Sequence, residues 1–201
     1  MSITLESLKT GITDILATLE TEHARLTELD GKIGDGDLGI TLLKAFRELD
    51  RIKGDFPADF GLAMMEGASG ISKVSSSSFG NLLATCFITV AKETKGKTEI
   101  DWSGVSGWLD KAVQAMIARG KASLGDKTVM DAVSAAATAT AGISDPTAIR
   151  AKAIAAVEAT LDEFRARPNR VGRARIFAER TVGVDDPGMV AFSVMLSALK
   201  T

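Results

Sequence analysis

The chain of 201 residues is long enough for one sizeable core and short for two. With 45% hydrophobic and 25% charged residues it has the balance of an ordinary globular protein. A formal net charge of −2 argues against a polyanion partner, so no nucleic acid is expected. No apolar run approaches the roughly 18 residues of a membrane span. The N-terminal MSITLESLKTGITDIL is amphipathic and has no basic leader, and the one cysteine, Cys86, suits a reducing cytoplasm.

Taken in chain order, the apolar residues recur at helical spacing. Leu5, Leu8, Ile12, Ile15 and Leu19 form a first stripe. LDGKIGDGDLGI, residues 29 to 40, reads as a connection between two helical stretches. KVSSSSFGN, residues 73 to 81, precedes an apolar helical run, and EIDWSGVSGW reads as another connection. Val105, Trp108, Leu109, Val113, Met116 and Ile117 repeat the helical pattern. ATAGISDPTA is a further connection with a cap at Ser144 or Asp145 before Pro146. Ile154, Val157, Leu161 and Phe164 follow, and Asp186-Pro187 reads as an N-cap with proline in the first helical position, opening GMVAFSVMLSAL. Strand signals are nearly absent. The expectation is an all-α single domain over 1–201, with about eight antiparallel helices around one core.

The acidic connection carries the chemistry. Asp30, Asp35 and Asp37 are separated by Gly31, Gly34 and Gly36. Asn or Ser would turn the chain without mutual repulsion, so three carboxylates point to a divalent cation; a solvated acidic turn is the alternative. The EF-hand pattern fails: with Asp35 as first ligand, the twelfth position is Phe46. Hard oxygen ligands without His or Cys favour Mg²⁺, which commonly binds through a few carboxylates plus substrate phosphates. The one histidine, His23, reads as a surface residue. Walker A loops are excluded, because Ala91 stands where GKT at 96–98 needs a glycine and Asp126 interrupts GKASLGDKT. Two stretches suit phosphate: the four hydroxyls of KVSSSSFGN at a helix start, and GRARIFAERTVGVDDPG, residues 172 to 188, with Arg173, Arg175 and Arg180. Ordinary capping and a charge-rich helix face are their respective alternatives. RARPNRVGRAR, residues 165 to 175, could meet an acidic partner or phosphates. Trp102 and Trp108 read as packing anchors, and Cys86 as a core side chain.

LDGKIGDGDLG, the Ser/Gly turn, RGKASLGDKTVMDAV at 119–133 and GRARIFAERTVGVDDPG together resemble the L subunit of dihydroxyacetone kinase, along nearly the whole chain and in family order. The resemblance implies an eight-helix antiparallel barrel with the nucleotide site at one end. It implies two Mg²⁺ ions held by Asp30, Asp35 and Asp37, bridging the phosphates of ADP or ATP. Ser77, Ser78 and Gly80 match its phosphate-contacting loop, Thr128 and Met130 its nucleotide pocket, and Arg173 with Asp186, Pro187 and Gly188 its late nucleotide contacts. No catalytic residue beyond this metal–nucleotide centre is implied. The family's keto-sugar is held by a separate K-type subunit, and in some systems a phosphotransferase-system protein is the phosphoryl donor. The chain departs from the family's usual motifs at Leu38, where a histidine is common, at Thr41, where Asn is common, and at Phe79, where a small residue is usual. A phosphotransferase subunit is the reading; a non-catalytic nucleotide-binding regulator on the same barrel and a purely structural helical interaction domain are the alternatives.

Overall fold

In a computed structural model, described over residues 2–200, eight α-helices dominate. They are α1 (Leu5–Ile33), α2 (Leu38–Ile52), α3 (Phe60–Val74), α4 (Ser78–Thr94), α5 (Val105–Gly120), α6 (Val129–Ala139), α7 (Pro146–Arg165) and α8 (Pro187–Ala198). Each packs on its neighbour in sequence, and α8 returns to α1, which closes the ring. Short connections make most packed neighbours antiparallel. Across the longer 166–186 connection, Arg165 at the end of α7 pairs with Asp185 just before α8, which sets that pair antiparallel too. Hence α2, α4, α6 and α8 start at one end of the barrel, where α1, α3, α5 and α7 finish.

The expected stripes face inward. Ile12 and Leu19 of α1, Leu42, Ala45 and Leu49 of α2, and Ala191 and Met195 of α8 are buried in one core. Ala132 and Ala136 of α6 meet Ala153 and Val157 of α7 and Met189 of α8 in another part of it. No helix among the described residues is long and apolar enough to cross a membrane.

Helix starts follow local capping chemistry. Thr4 caps α1 in a reciprocal box with Ser7, Asp59 caps α3 through the Leu62 amide, and Asp145 caps α7 through the Ala148 amide before Pro146.

Two expectations are corrected. The acidic connection is shorter than 29–40, because α1 runs on to Ile33 and carries Asp30 in its last turn. Gly31 is tolerated there because it lies on the outer, exposed side of the helix. Strand pairing is also present: β1 (Ser2–Thr4) pairs antiparallel with β2 (Glu99–Asp101), within the stretch read as a connection. Three-residue strands are too short to show alternation in sequence. They tie the start of α1 to the segment before α5, at the end opposite the acidic loop.

Candidate metal and phosphate site

Four residues, 34–37, join α1 to α2, and the join is tight. A methyl at Gly39 would lie 2.0 Å from the His23 carbonyl oxygen and 2.5 Å from Thr27 Oγ1, so glycine alone lets α2 start against the flank of α1. Gly36, at φ +70°, makes the turn between Asp35 and Asp37. The outcome is that Asp30, Asp35 and Asp37 each bring a carboxylate oxygen within 4.8 Å of the others.

The three carboxylates do different things. Asp30 Oδ2 accepts hydrogen bonds from the amides of Asp37 (3.0 Å) and Leu38 (3.2 Å), so a carboxylate from α1 satisfies the start of α2. Asp37 occupies the N-cap position of α2 and makes no capping bond with its side chain. Asp35 Oδ2 lies 2.9 Å from Arg173 Nε. Burial, followed by the charge of Asp35, raises the pKa of Asp30 against the pull of the amides that bond it. Burial and then the charges of Asp35 and Asp30 raise that of Asp37. Like charges at such separations repel by on the order of 1–3 kcal/mol per pair, between the aqueous and protein-surface limits. A hard cation removes that repulsion, and the donor set is all carboxylate oxygen, which fits Mg²⁺.

Around this cluster the other helix starts converge. Thr41, buried in the first turns of α2, donates from Oγ1 to Ser77 Oγ at 3.3 Å. Ser77 caps α4 by accepting from the Gly80 amide at 3.1 Å, and its hydroxyl is 3.2 Å from that of Ser75. Ser78 is exposed in the first position of α4. A methyl at Gly188 would sit 3.3 Å from Val129 Cβ and 3.4 Å from Phe79 Cε2, so the starts of α4, α6 and α8 are in contact. Aligned peptide dipoles make such N-termini favourable for anions.

Thr128 caps α6 in a reciprocal box with Asp131, which accepts from the amides of Thr128 (2.8 Å) and Gly125 (2.6 Å). Met130 is buried against Val113 and Met116. Asp186 caps α8 through the Met189 amide at 2.9 Å and accepts from Asn169 Nδ2 at 2.8 Å; burial raises its pKa to about 6. Pro187 is buried beside it.

The chain's departures from the family pattern have structural places. Leu38 is buried in the main core and contributes its backbone amide, rather than its side chain, to the loop. Phe79 packs beneath the serine turn, between the main core and the α5–α6 core. Arg173 does not stand on a regular helix face; it begins a 3₁₀ segment, Ala174–Thr181, that kinks at Ala178 (φ 46°). Arg180 lies over the Phe177 ring, and Arg165 pairs with Asp185 and Asp162. His23 is half-buried, with its backbone carbonyl against Gly39. Trp108 packs against the cluster of Phe60 and Ile100, and burial pushes the Cys86 thiol up to about 12, which leaves no thiolate at neutral pH.

Two residues escaped the sequence reading. Asp131 had a signal, the Thr-x-x-Asp spacing of a capping box. Lys127 had none, because lysine is among the residues least expected inside; here it is 1% exposed.

Residues 32–201 match the family described as the DAK2 domain. The chain is 32% identical to the PEP-dependent dihydroxyacetone kinase 2, ADP-binding subunit DhaL, of Listeria innocua, over 92% of this chain and 89% of that one. It is 28% identical to the PEP-dependent dihydroxyacetone kinase, ADP-binding subunit DhaL, of Escherichia coli, over 99% and 97%. In fold it resembles the dihydroxyacetone kinase of C. freundii in complex with AMP-PNP and Mg²⁺, with a TM-score of 0.73 and 22% identity, covering 95% of this chain and 33% of that one. On the match over residues 32–201 and the likeness to these L-type subunits along nearly its full length, the chain belongs to the DAK2-domain family.

Proposed function

We propose that the chain is the nucleotide-binding subunit of a kinase that phosphorylates dihydroxyacetone or a related short keto-sugar, the sugar being held by a separate K-type subunit. The observation that carries the reading is the carboxylate cluster of Asp30, Asp35 and Asp37 set against the converging starts of α2, α4, α6 and α8. Relatives named as ADP-binding subunits of dihydroxyacetone kinase support it.

Asp30, Asp35 and Asp37 would hold Mg²⁺, two ions on the family's pattern, with ADP or ATP supplying further oxygen ligands. When bound, the metal neutralises phosphate charge, which is most of what phosphoryl transfer asks of a protein. The chain's own groups do the positioning. Ser77 and Ser78 offer hydroxyls at the start of α4, where the Gly80 amide holds the Ser77 hydroxyl in place. Thr41, bonded to Ser77, fixes that turn relative to the acidic loop. Arg173 brings a permanent cation to the margin of the cluster, suited to phosphate oxygens. Thr128 and Met130, with the Asp186-Pro187-Gly188 turn, lie at the starts of α6 and α8, where the rest of the nucleotide would be received. The phosphoryl donor is either ATP or a phosphotransferase-system protein acting on bound ADP, and the chain works in the cytoplasm.

Calorimetric titration with ADP and ATP, with and without Mg²⁺, tests the reading. Binding should require Mg²⁺ and should vanish in Asp35→Asn with the fold retained; unchanged affinity in that variant defeats the assignment. Leu38, buried where the family commonly has histidine, favours one second reading, a nucleotide-binding regulator without transfer activity. Phosphorylation of dihydroxyacetone on adding a K-type subunit separates the two.

A further inference from the structure

We propose that Lys127, a buried lysine outside the metal–phosphate machinery, positions Arg173 for the nucleotide phosphates by clamping both ends of the segment that carries it. The proposal rests on the reading of Arg173 as a phosphate-binding side chain.

Lys127 sits in the left-handed region (φ 63°), a conformation unusual for a residue other than glycine, and it is almost wholly buried. Its ammonium donates to three carbonyl oxygens: Arg167 at 2.7 Å, Thr181 at 2.9 Å and Arg165 at 3.4 Å. Those three carbonyls bracket residues 168–180. One side chain therefore gathers the end of α7 and the end of the 3₁₀ segment onto a single point, with all three of its N–H groups used. A buried backbone carbonyl needs a donor. The ammonium supplies one to those of Arg167 and Thr181, and it adds a second to that of Arg165, which also accepts from the Gly183 amide at 2.8 Å. Burial lowers the pKa of Lys127, while Asp186 and Asp185 favour its charged form.

A second layer of bonds locks the same point. Asn169 donates from its amide to Thr181 Oγ1 at 2.8 Å, and from Nδ2 to the Lys127 carbonyl and to Asp186 Oδ2, both at 2.8 Å. Thr181 Oγ1 donates in turn to the Ala178 carbonyl at 2.7 Å, across the kink. Between these fixed ends lies a surface stretch with no regular helix, and within it Arg173 reaches Asp35. Its placement depends on where the loop ends are held. The aspartate cluster is built by α1 and α2, and none of its carboxylates is bonded by Lys127.

The test is a double-mutant cycle on the full chain, read as affinity for ADP in the presence of Mg²⁺. Arg173→Gln should weaken ADP binding roughly ten- to hundredfold, the range for a hydrogen bond to a charged group. Lys127→Met should weaken it comparably, and the double variant no further than either single one. Binding of Mn²⁺ alone, used as the metal probe, should be retained in Lys127→Met and no weaker than in the wild type, because releasing Arg173 frees Asp35. If Lys127 only stabilised the fold, Lys127→Met would lower the unfolding midpoint and leave the folded protein's affinity intact. Wild-type affinity in Lys127→Met, or fully additive losses in the double variant, overturns the proposal while leaving the phosphate role of Arg173 standing. Wild-type affinity in Arg173→Gln refutes that role, and the clamp's purpose with it. If Lys127→Met does not fold, Thr181→Val replaces it in the cycle. That variant removes the bonds to Asn169 and Ala178 without leaving a charge unpaired, and the same outcomes decide.

Discussion

Gly39 is the position where a single methyl tests the architecture of the acidic site. On helix propensity alone, Gly39→Ala in α2 should stabilise the protein by about 0.5–1 kcal/mol. Packing predicts the opposite. The added carbon would lie 2.0 Å from the His23 carbonyl oxygen, against about 3.4 Å for ordinary contact, so the two helices would have to separate by roughly 1.4 Å. His23 O belongs to the backbone of α1 and cannot turn aside. Overpacking of this kind costs about 1–3 kcal/mol, more than the propensity gain. The displacement also moves Asp37 relative to Asp30, and Mg²⁺ accepts ligand distances only within roughly 0.2 Å. Gly39→Ala should therefore lose stability in urea denaturation and lose metal affinity in a Mn²⁺ titration. Gly31→Ala is the matched control. It lies in the last turns of α1, meets nothing within 4 Å, and should stabilise by about 0.5–1 kcal/mol with metal binding preserved. If Gly39→Ala is as stable as wild type and binds Mn²⁺ equally well, the close approach of α2 to α1 is not what assembles the cluster.

Two further outcomes follow from the neighbouring helix starts. Ser77→Ala removes the cap of α4 and the partner of Thr41, and should cost about 1 kcal/mol in unfolding free energy while weakening Mg²⁺-dependent ADP binding. Asp186 titrates near 6 in the folded protein against 3.8 ordinarily, so its ionisation opposes folding: the penalty is complete above about pH 6 and absent below 3.8. Comparing wild type with Asp186→Asn at pH 7 and pH 4, the wild type should gain up to about 3 kcal/mol relative to the variant on acidification; a pH-independent difference would contradict the assignment.

The helices were legible because their cores repeat at three and four residues, and the caps at Asp145 and Asp186 because proline follows each. Closure of α8 onto α1 was not legible from period, since it joins residues far apart in sequence; it came with the family resemblance. The reach of α1 through Gly31 was misread because glycine in a helix usually marks its end, whereas here an exposed glycine costs little. The aspartates could be read as a group from their spacing, but not their division of labour, which depends on the distances between two helices. Lys127 was invisible for a different reason. Its partners are carbonyls of residues 165, 167 and 181, and backbone atoms leave no mark on a sequence.

That division of labour accounts for three aspartates where two would already repel. In α4, α6 and α8 the N-cap side chain bonds its own helix. In α2 it does not: Asp30, from α1, accepts the amides of Asp37 and Leu38, and the Asp37 carboxylate is left without a capping duty. On the proposed function, Asp30 would thus be both a structural acceptor and a metal ligand, and Asp37 a ligand alone. Truncation should separate the roles. Asp30→Ala leaves two amides at the start of α2 unpartnered and should destabilise the protein by about 1–2 kcal/mol. Asp37→Ala removes a carboxylate whose charge is disfavoured by burial and by its two neighbours, and stability should be unchanged or higher. Both variants should lose Mn²⁺ binding. Unfolding free energies measured without metal decide the matter: equal losses in the two variants would mean that Asp37 carries a structural load after all, and that the start of α2 is not capped from α1.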